Sequence, residues 1–104
     1  MTWERLRKRG TQPVARGYHE TLLVGGYLLV LGGWSGAAQP LAELNTLDLE
    51  GLGSWYSVQV PGQAPPAVYG HSATLIGNSK VVTFGGWDGV SPLNTVSVLD
   101  TATL

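Results

Sequence analysis

Short apolar runs, each closed by a turn rich in glycine, asparagine or serine, divide this chain. The second of them in each half, "YLLVL" (27–31) and "KVVTF" (80–84), are apolar at successive positions rather than alternating. A strand of that kind belongs to a sheet covered on both faces. Four strands are predicted in each half. The first follows a histidine (about 19–24 and 71–76), and the second ends at a glycine pair (about 27–32 and 80–85). The third follows the tripeptide "LNT" (about 45–49 and 94–99), and the fourth opens on tryptophan (about 3–7 and 55–60). Gly25-Gly26 between the first two strands suits a two-residue hairpin. The 15 glycines and 6 prolines supply the turns, and the Val, Leu, Thr, Trp and Tyr between them favour strand, so the chain reads as all-β.

The two halves are copies of one unit. Trp3 and Trp55 are 52 positions apart, as are Gly10 and Gly62, Pro13 and Pro65, and His19 and His71. The glycine pairs Gly32-Gly33 and Gly85-Gly86 recur at an offset of 53, and "LNT" at 44–46 and 93–95 recurs at 49. The last offset puts four extra residues in the turn "WSGAAQPLAE" of the first copy. Differences confined to turns are expected of a repeat with a fixed framework. Small twisted sheets stacked face to face about an axis would cover every blade on both sides, which is the architecture of a β-propeller.

The elements that recur resemble the kelch repeat over essentially the whole chain. They are Tyr18-His19 and Gly70-His71 before the first strand, the two glycine pairs, Asn45 and Asn94, and Trp3 and Trp55 at the fourth strand. Two departures stand out. The aromatic usual in the third strand is replaced by Leu47 or Leu49 and by Val96 or Val98, and the arginine before the histidine, Arg16, becomes Val68. The resemblance implies a kelch-type β-propeller with two four-stranded antiparallel blades in this chain. Residues 1–7 are then a fourth strand closing a neighbouring blade, 16–60 the first blade, and 68–104 a second blade lacking its fourth strand. Two blades do not make a ring. The expectation is a partial ring, or one completed by oligomerisation, with three copies giving six blades.

Composition narrows the function classes. The chain has no cysteine, which removes disulfides, thiolate metal sites and cysteine nucleophiles. The longest apolar run is too short to span a membrane, so no membrane association is expected, and the chain reads as cytoplasmic or nuclear. Net charge is −1, yet five of the six basic residues (Arg5, Arg7, Lys8, Arg9 and Arg16) lie in the first sixteen positions. One such cluster beside a neutral remainder reads as a solvated outer strand rather than a nucleic-acid surface.

The glycine pair fits neither a phosphate loop nor a dinucleotide fingerprint, since both need a helix to follow. It reads as a tight bend beside a neighbouring chain. His19 and His71 read as framework imidazoles hydrogen-bonded to backbone. No acid recurs beside them, Asp88 having Ser35 at its equivalent place, so neither metal nor cofactor is expected. Ser72 adjoins His71 without a nucleophile elbow, so no catalytic residue is assigned. Trp3 and Trp55 are expected to pack between blades. The resemblance places Arg16, Tyr18, Trp34, Ser35, Tyr69, Trp87 and Asp88 on one mouth of the ring. A rim rich in Trp, Tyr and Arg suits a protein or peptide partner. The expected function is therefore a non-enzymatic interaction module or adaptor. The alternatives are a self-assembling propeller piece and the pocket of a metal-dependent kelch enzyme or specifier.

Overall fold

The structure is a computed structural model describing residues 1–6, 9–36, 40–51, 53–59 and 67–103. Among the described residues seven strands form two antiparallel sheets. The first sheet runs β1 (Glu20–Val24), β2 (Tyr27–Leu31), β3 (Leu44–Asp48) and β4 (Trp55–Val58) in simple up-and-down order. The second runs β5 (Ser72–Ile76), β6 (Lys80–Phe84) and β7 (Val96–Asp100), and ends in a short 3-10 turn at Thr101–Thr103. Gly25, with φ 59°, makes the tight turn that lets Val24 face Tyr27. Gly77 (φ 62°) does the same in the second sheet, where Ile76 faces Lys80.

The register assigns every side chain to a face, because partners across a ladder share one. On one face of the first sheet, which we call its front, lie Leu22, Val24, Leu29, Leu31, Leu44 and Val58. On the opposite face of the second sheet, its back, lie Ala73, Leu75, Val81 and Leu99. Those ten residues form the hydrophobic core, with Leu29, Leu44 and Val81 buried at its centre. The front of the first blade thus packs on the back of the second. That stacking accounts for the apolar residues on the front of β2 and on the back of β6, Leu29 and Leu31 on one and Val81 on the other.

The register also corrects the third strands. Leu31 pairs with Leu44 and Phe84 with Val96, so β3 and β7 correspond at an offset of 52, not 49. Leu44–Thr46 lie inside β3, whereas Leu93–Thr95 precede β7, and the "LNT" match joins positions that are not equivalent. The true equivalence pairs Asp48 with Asp100. Asp48 Oδ1 accepts from the Glu50 and Gly51 amides, and Asp100 Oδ1 accepts from the Ala102 amide, so both close the same turn after the third strand. The turn after the glycine pair differs by one residue between copies rather than four.

Residues 1–6 make no ladder among the described residues, and Trp3, expected to pack between blades, is fully exposed. Trp55, its equivalent, is half-buried opposite Leu47. Residues 7, 8, 60, 62 and 65, which carry part of the expected outer strands, the basic cluster and the repeat, lie outside the described residues.

The glycine pair is where the blades meet. A Cβ on Gly32 would sit 2.6 Å from the Val68 carbonyl oxygen and 2.8 Å from His71 Cε1, while the Gly33 amide donates to that same carbonyl at 3.0 Å. The Gly70 amide donates in turn to the Tyr18 carbonyl at 2.8 Å. No side chain fits between backbone and backbone at such a distance. Gly32→Ala should therefore cost more stability than Gly25→Ala. Both have positive φ and share a strain of about 1–2 kcal/mol, but nothing lies within 4 Å of the position a Gly25 Cβ would take. Urea unfolding of the two variants measures the difference, and equal losses would mean that the blades do not meet at Gly32.

Candidate functional site

Above the blade junction the chain passes twice through one arrangement. Gly17 and Trp34 exchange backbone hydrogen bonds at 2.9 Å each, and Tyr69 and Trp87 do the same at 3.1 and 2.9 Å. Each bridge ties the residue two before the histidine to the residue after the glycine pair. Three of the positions expected to line one mouth, Trp34, Tyr69 and Trp87, are thereby fixed by backbone, with their rings left to point elsewhere.

Three rings gather. Tyr18 and Tyr69 lie with centroids 5.9 Å apart and planes tilted by 52°, and Trp34 lies 6.3 Å from Tyr69 at 36°. Such tilted pairs are within the range of favourable aromatic contact. Tyr69 of the second blade is thus held between Tyr18 and Trp34 of the first. Trp87 joins Tyr18 and Tyr69 around a shallow hollow that also includes Phe84, Pro92 and Leu93. Tyr18, Trp34 and Trp87 remain open to solvent.

Tyr18 has φ 55°, the one non-glycine residue in the left-handed region among the described residues. Its equivalent in the second blade is Gly70, with φ 69°. A conformation that costs glycine nothing costs tyrosine about 1–2 kcal/mol.

The charged members behave differently. Arg16 is nearly buried, its side chain 4% exposed: Nη2 pairs with Glu43 Oε1 at 2.6 Å, Nη1 donates to the Gly32 carbonyl at 3.0 Å, and Nε donates to the Val14 carbonyl. Its guanidinium secures the first glycine turn. Asp88 Oδ1 accepts from the Ser91 and Val90 amides, both at 2.8 Å, and those bonds hold its carboxyl below the usual carboxylate range. It is a turn-former. Ser35, at the equivalent place, is exposed. Phe84, Pro92 and Leu93 escaped the sequence reading. Phe84 carried a signal, standing immediately before the glycine pair where Leu31 stands in the first blade.

The two histidines part company. His71 is 6% exposed, with its ring against Gly32 and its Cβ against Gly86, while His19 is exposed. His71 Nδ1 is buried without a hydrogen-bond partner among the described residues, so the expected backbone hydrogen bond gives way to packing. Burial lowers its pKa from the ordinary 6.5; Glu20 opposes this and His19 adds to it. Among the described residues no group of three or more His, Cys, Asp or Glu side chains could hold a metal ion.

The sign of the pH effect follows. The folded chain holds His71 neutral where the unfolded chain would protonate it, so the unfolded state binds the extra proton. The contribution is complete above pH 6.5 and falls as pH drops through the window between 6.5 and the lower folded value. Thermal midpoints should decline across that window, and His71→Asn should flatten the decline. An unchanged slope in the variant would place the titrating group elsewhere.

Comparison with known proteins agrees with this geometry. The family model for the KLHDC2/KLHL20/DRC7 kelch-repeats domain matches residues 1–104. The chain is 37% identical over 101 residues to the serine/threonine-protein phosphatase BSL2 of Arabidopsis thaliana, covering 96% of this chain and 10% of that protein. It is 31% identical over 101 residues to Adagio-like protein 1 of Oryza sativa subsp. japonica (96% and 16%) and 29% identical over 104 to the acyl-CoA-binding domain-containing protein 4 of Arabidopsis thaliana (100% and 15%). It thus spans between a tenth and a sixth of the curated relatives it matches. With glycine pairs at the strand ends, histidines before the inner strands and two stacked antiparallel blades, the chain belongs to the kelch-repeat family.

Proposed function

We propose that the chain is a non-enzymatic interaction module whose aromatic rim, Tyr18, Trp34, Tyr69 and Trp87, binds a protein or peptide partner in the manner of an adaptor. Kelch-repeat domains are in general protein-interaction modules, which sets the class. The observation that supports this rim is Tyr18. The repeat offers glycine at the equivalent place, and a tyrosine there carries backbone strain while remaining 67% exposed, its ring beside that of Tyr69. Strain of that kind gathers at binding sites, where it holds a side chain in position. A neutral, ring-lined surface recognises apolar or aromatic side chains and leaves backbone polar groups of the partner in water. Arg16 and Asp88, already engaged within their own turns, contribute by shaping the rim rather than by touching the partner. The reading takes the chain as cytoplasmic or nuclear, without cofactor, membrane or nucleic acid.

A peptide library displayed on phage is a suitable probe. Asparagine tolerates the left-handed backbone, so Tyr18→Asn should leave stability within about 0.5 kcal/mol of the parent. It should also weaken selected peptides at least tenfold, about 1.4 kcal/mol. Trp34→Ala with Trp87→Ala should abolish binding in a chain that still folds. Peptides indifferent to all three changes would refute the rim as the site, and loss of folding in the double variant would make the two tryptophans framework.

A further inference from the structure

Four consecutive residues seat the second blade on the first. The Val68 carbonyl accepts from the Gly33 amide at 3.0 Å, and the Tyr69 ring lies between those of Tyr18 and Trp34. The Gly70 amide donates to the Tyr18 carbonyl at 2.8 Å, and the His71 ring rests against Gly32. Tyr69 is also tied by backbone to Trp87 of its own blade, as Gly17 is to Trp34. The rim therefore has two halves, Tyr18 with Trp34 and Tyr69 with Trp87, and the seating of residues 68–71 sets how they stand to one another.

His71 is the member of that seat whose charge can change. A Cβ on Gly32 would stand 2.8 Å from its Cε1 and 3.5 Å from its Nδ1, and Nδ1 is buried with no hydrogen-bond partner among the described residues. A protonated imidazole carries N–H on both nitrogens. The seated cation would thus bury a charged donor with no acceptor beside it, which is strongly unfavourable.

The groups around the ring leave that balance in place. From the start of β1, Glu20 favours the cation and His19 disfavours it, and burial outweighs both. Arg16, which donates to the Gly32 carbonyl, is matched by Glu43. In the second blade, Asp88 accepts from the Val90 and Ser91 amides, and the Tyr18 and Tyr69 phenols complete the set at the junction. The ring gains its proton by leaving Gly32, and Tyr69, two residues away, moves with it.

We propose, on the reading that the rim is the binding site, that His71 is its positioning residue: the rim holds its partner only while this imidazole is neutral and seated on Gly32, and acid releases the partner. A partner that needs both halves of the rim binds the seated form alone. Proton and partner then compete without touching, and each weakens the other by the same factor. The sign is fixed: binding is full at neutral pH and is lost as pH falls below the ordinary 6.5 into the lowered range of the seated ring.

His19→Asn, at an exposed position, leaves His71 as the sole imidazole of the two and makes its nuclear magnetic resonance titration unambiguous. The probe is a phage-selected peptide that lacks His, Asp and Glu. At about ten times its Kd, the peptide should lower the His71 midpoint by about one pH unit. Peptide affinity should be constant above the midpoint of the free chain and fall about tenfold per pH unit below it. In His71→Asn that dependence should vanish; if this variant does not fold, the titration shift in His19→Asn decides alone. Strand circular dichroism should persist through the window in which binding is lost. If the two are lost together, acid unfolds the chain rather than parting the rim, and the proposal is overturned. A peptide that Tyr18→Asn weakens but that leaves the His71 midpoint in place would overturn the proposal and spare the rim reading. A peptide indifferent to Tyr18→Asn would overturn both.

Discussion

The structure depends on one close approach. At the end of β2 the backbone turns through Gly32 and Gly33 so near the next blade that a carbonyl oxygen and an imidazole fill the space a side chain would take. Everything that distinguishes this fold from two unrelated sheets follows. The approach sets which face of one blade meets which face of the next, and it buries His71 as a neutral ring. It also brings Tyr69 between Tyr18 and Trp34. Burying several Leu and Val side chains at about 1.5–3 kcal/mol each holds the sheets together, but area alone fixes no direction. The backbone hydrogen bonds from Gly33 to Val68 and from Gly70 to Tyr18 do.

Much of this was legible in the residues. The inner strands, their hairpins and the glycine pair carry signals that are local in sequence: apolar runs, turn residues and spacing. What failed did so for physical reasons. The "LNT" coincidence misled because three common residues can recur without sharing a register, and only the ladder from Leu31 to Leu44 and from Phe84 to Val96 settles it. Trp3 was expected to pack between blades by its equivalence with Trp55, and among the described residues only Trp55 has a strand beside it. The rings that gather at the junction were named from their places in the repeat, but the engagements of the charged residues beside them were not. That Arg16 and Asp88 are consumed by Glu43 and by the Val90 and Ser91 amides depends on distances no spacing encodes. Tyr18 was visible as a departure from glycine, though its strain was not.

A repeat whose two copies sit in different surroundings is its own control. His71 and His19, Val81 and Leu28, Thr46 and Val98 are equivalent positions, and the member facing the blade junction is the more buried in each of these pairs. The difference measures what a neighbouring blade does to a residue without any change of local fold. The aromatic rim lies across the junction and uses both blades, Tyr18 and Trp34 of the first and Tyr69 and Trp87 of the second.

Backbone amide hydrogen exchange at Gly33 and Gly70 tests the central claim most directly, because both donate across the blade junction and to nothing else described. Exchange as slow as that of the β2 and β6 amides would show that the blades are joined by backbone at the glycine pair. Exchange as fast as that of an exposed turn residue such as Gly36 would contradict the account, leaving two sheets in contact without a fixed direction.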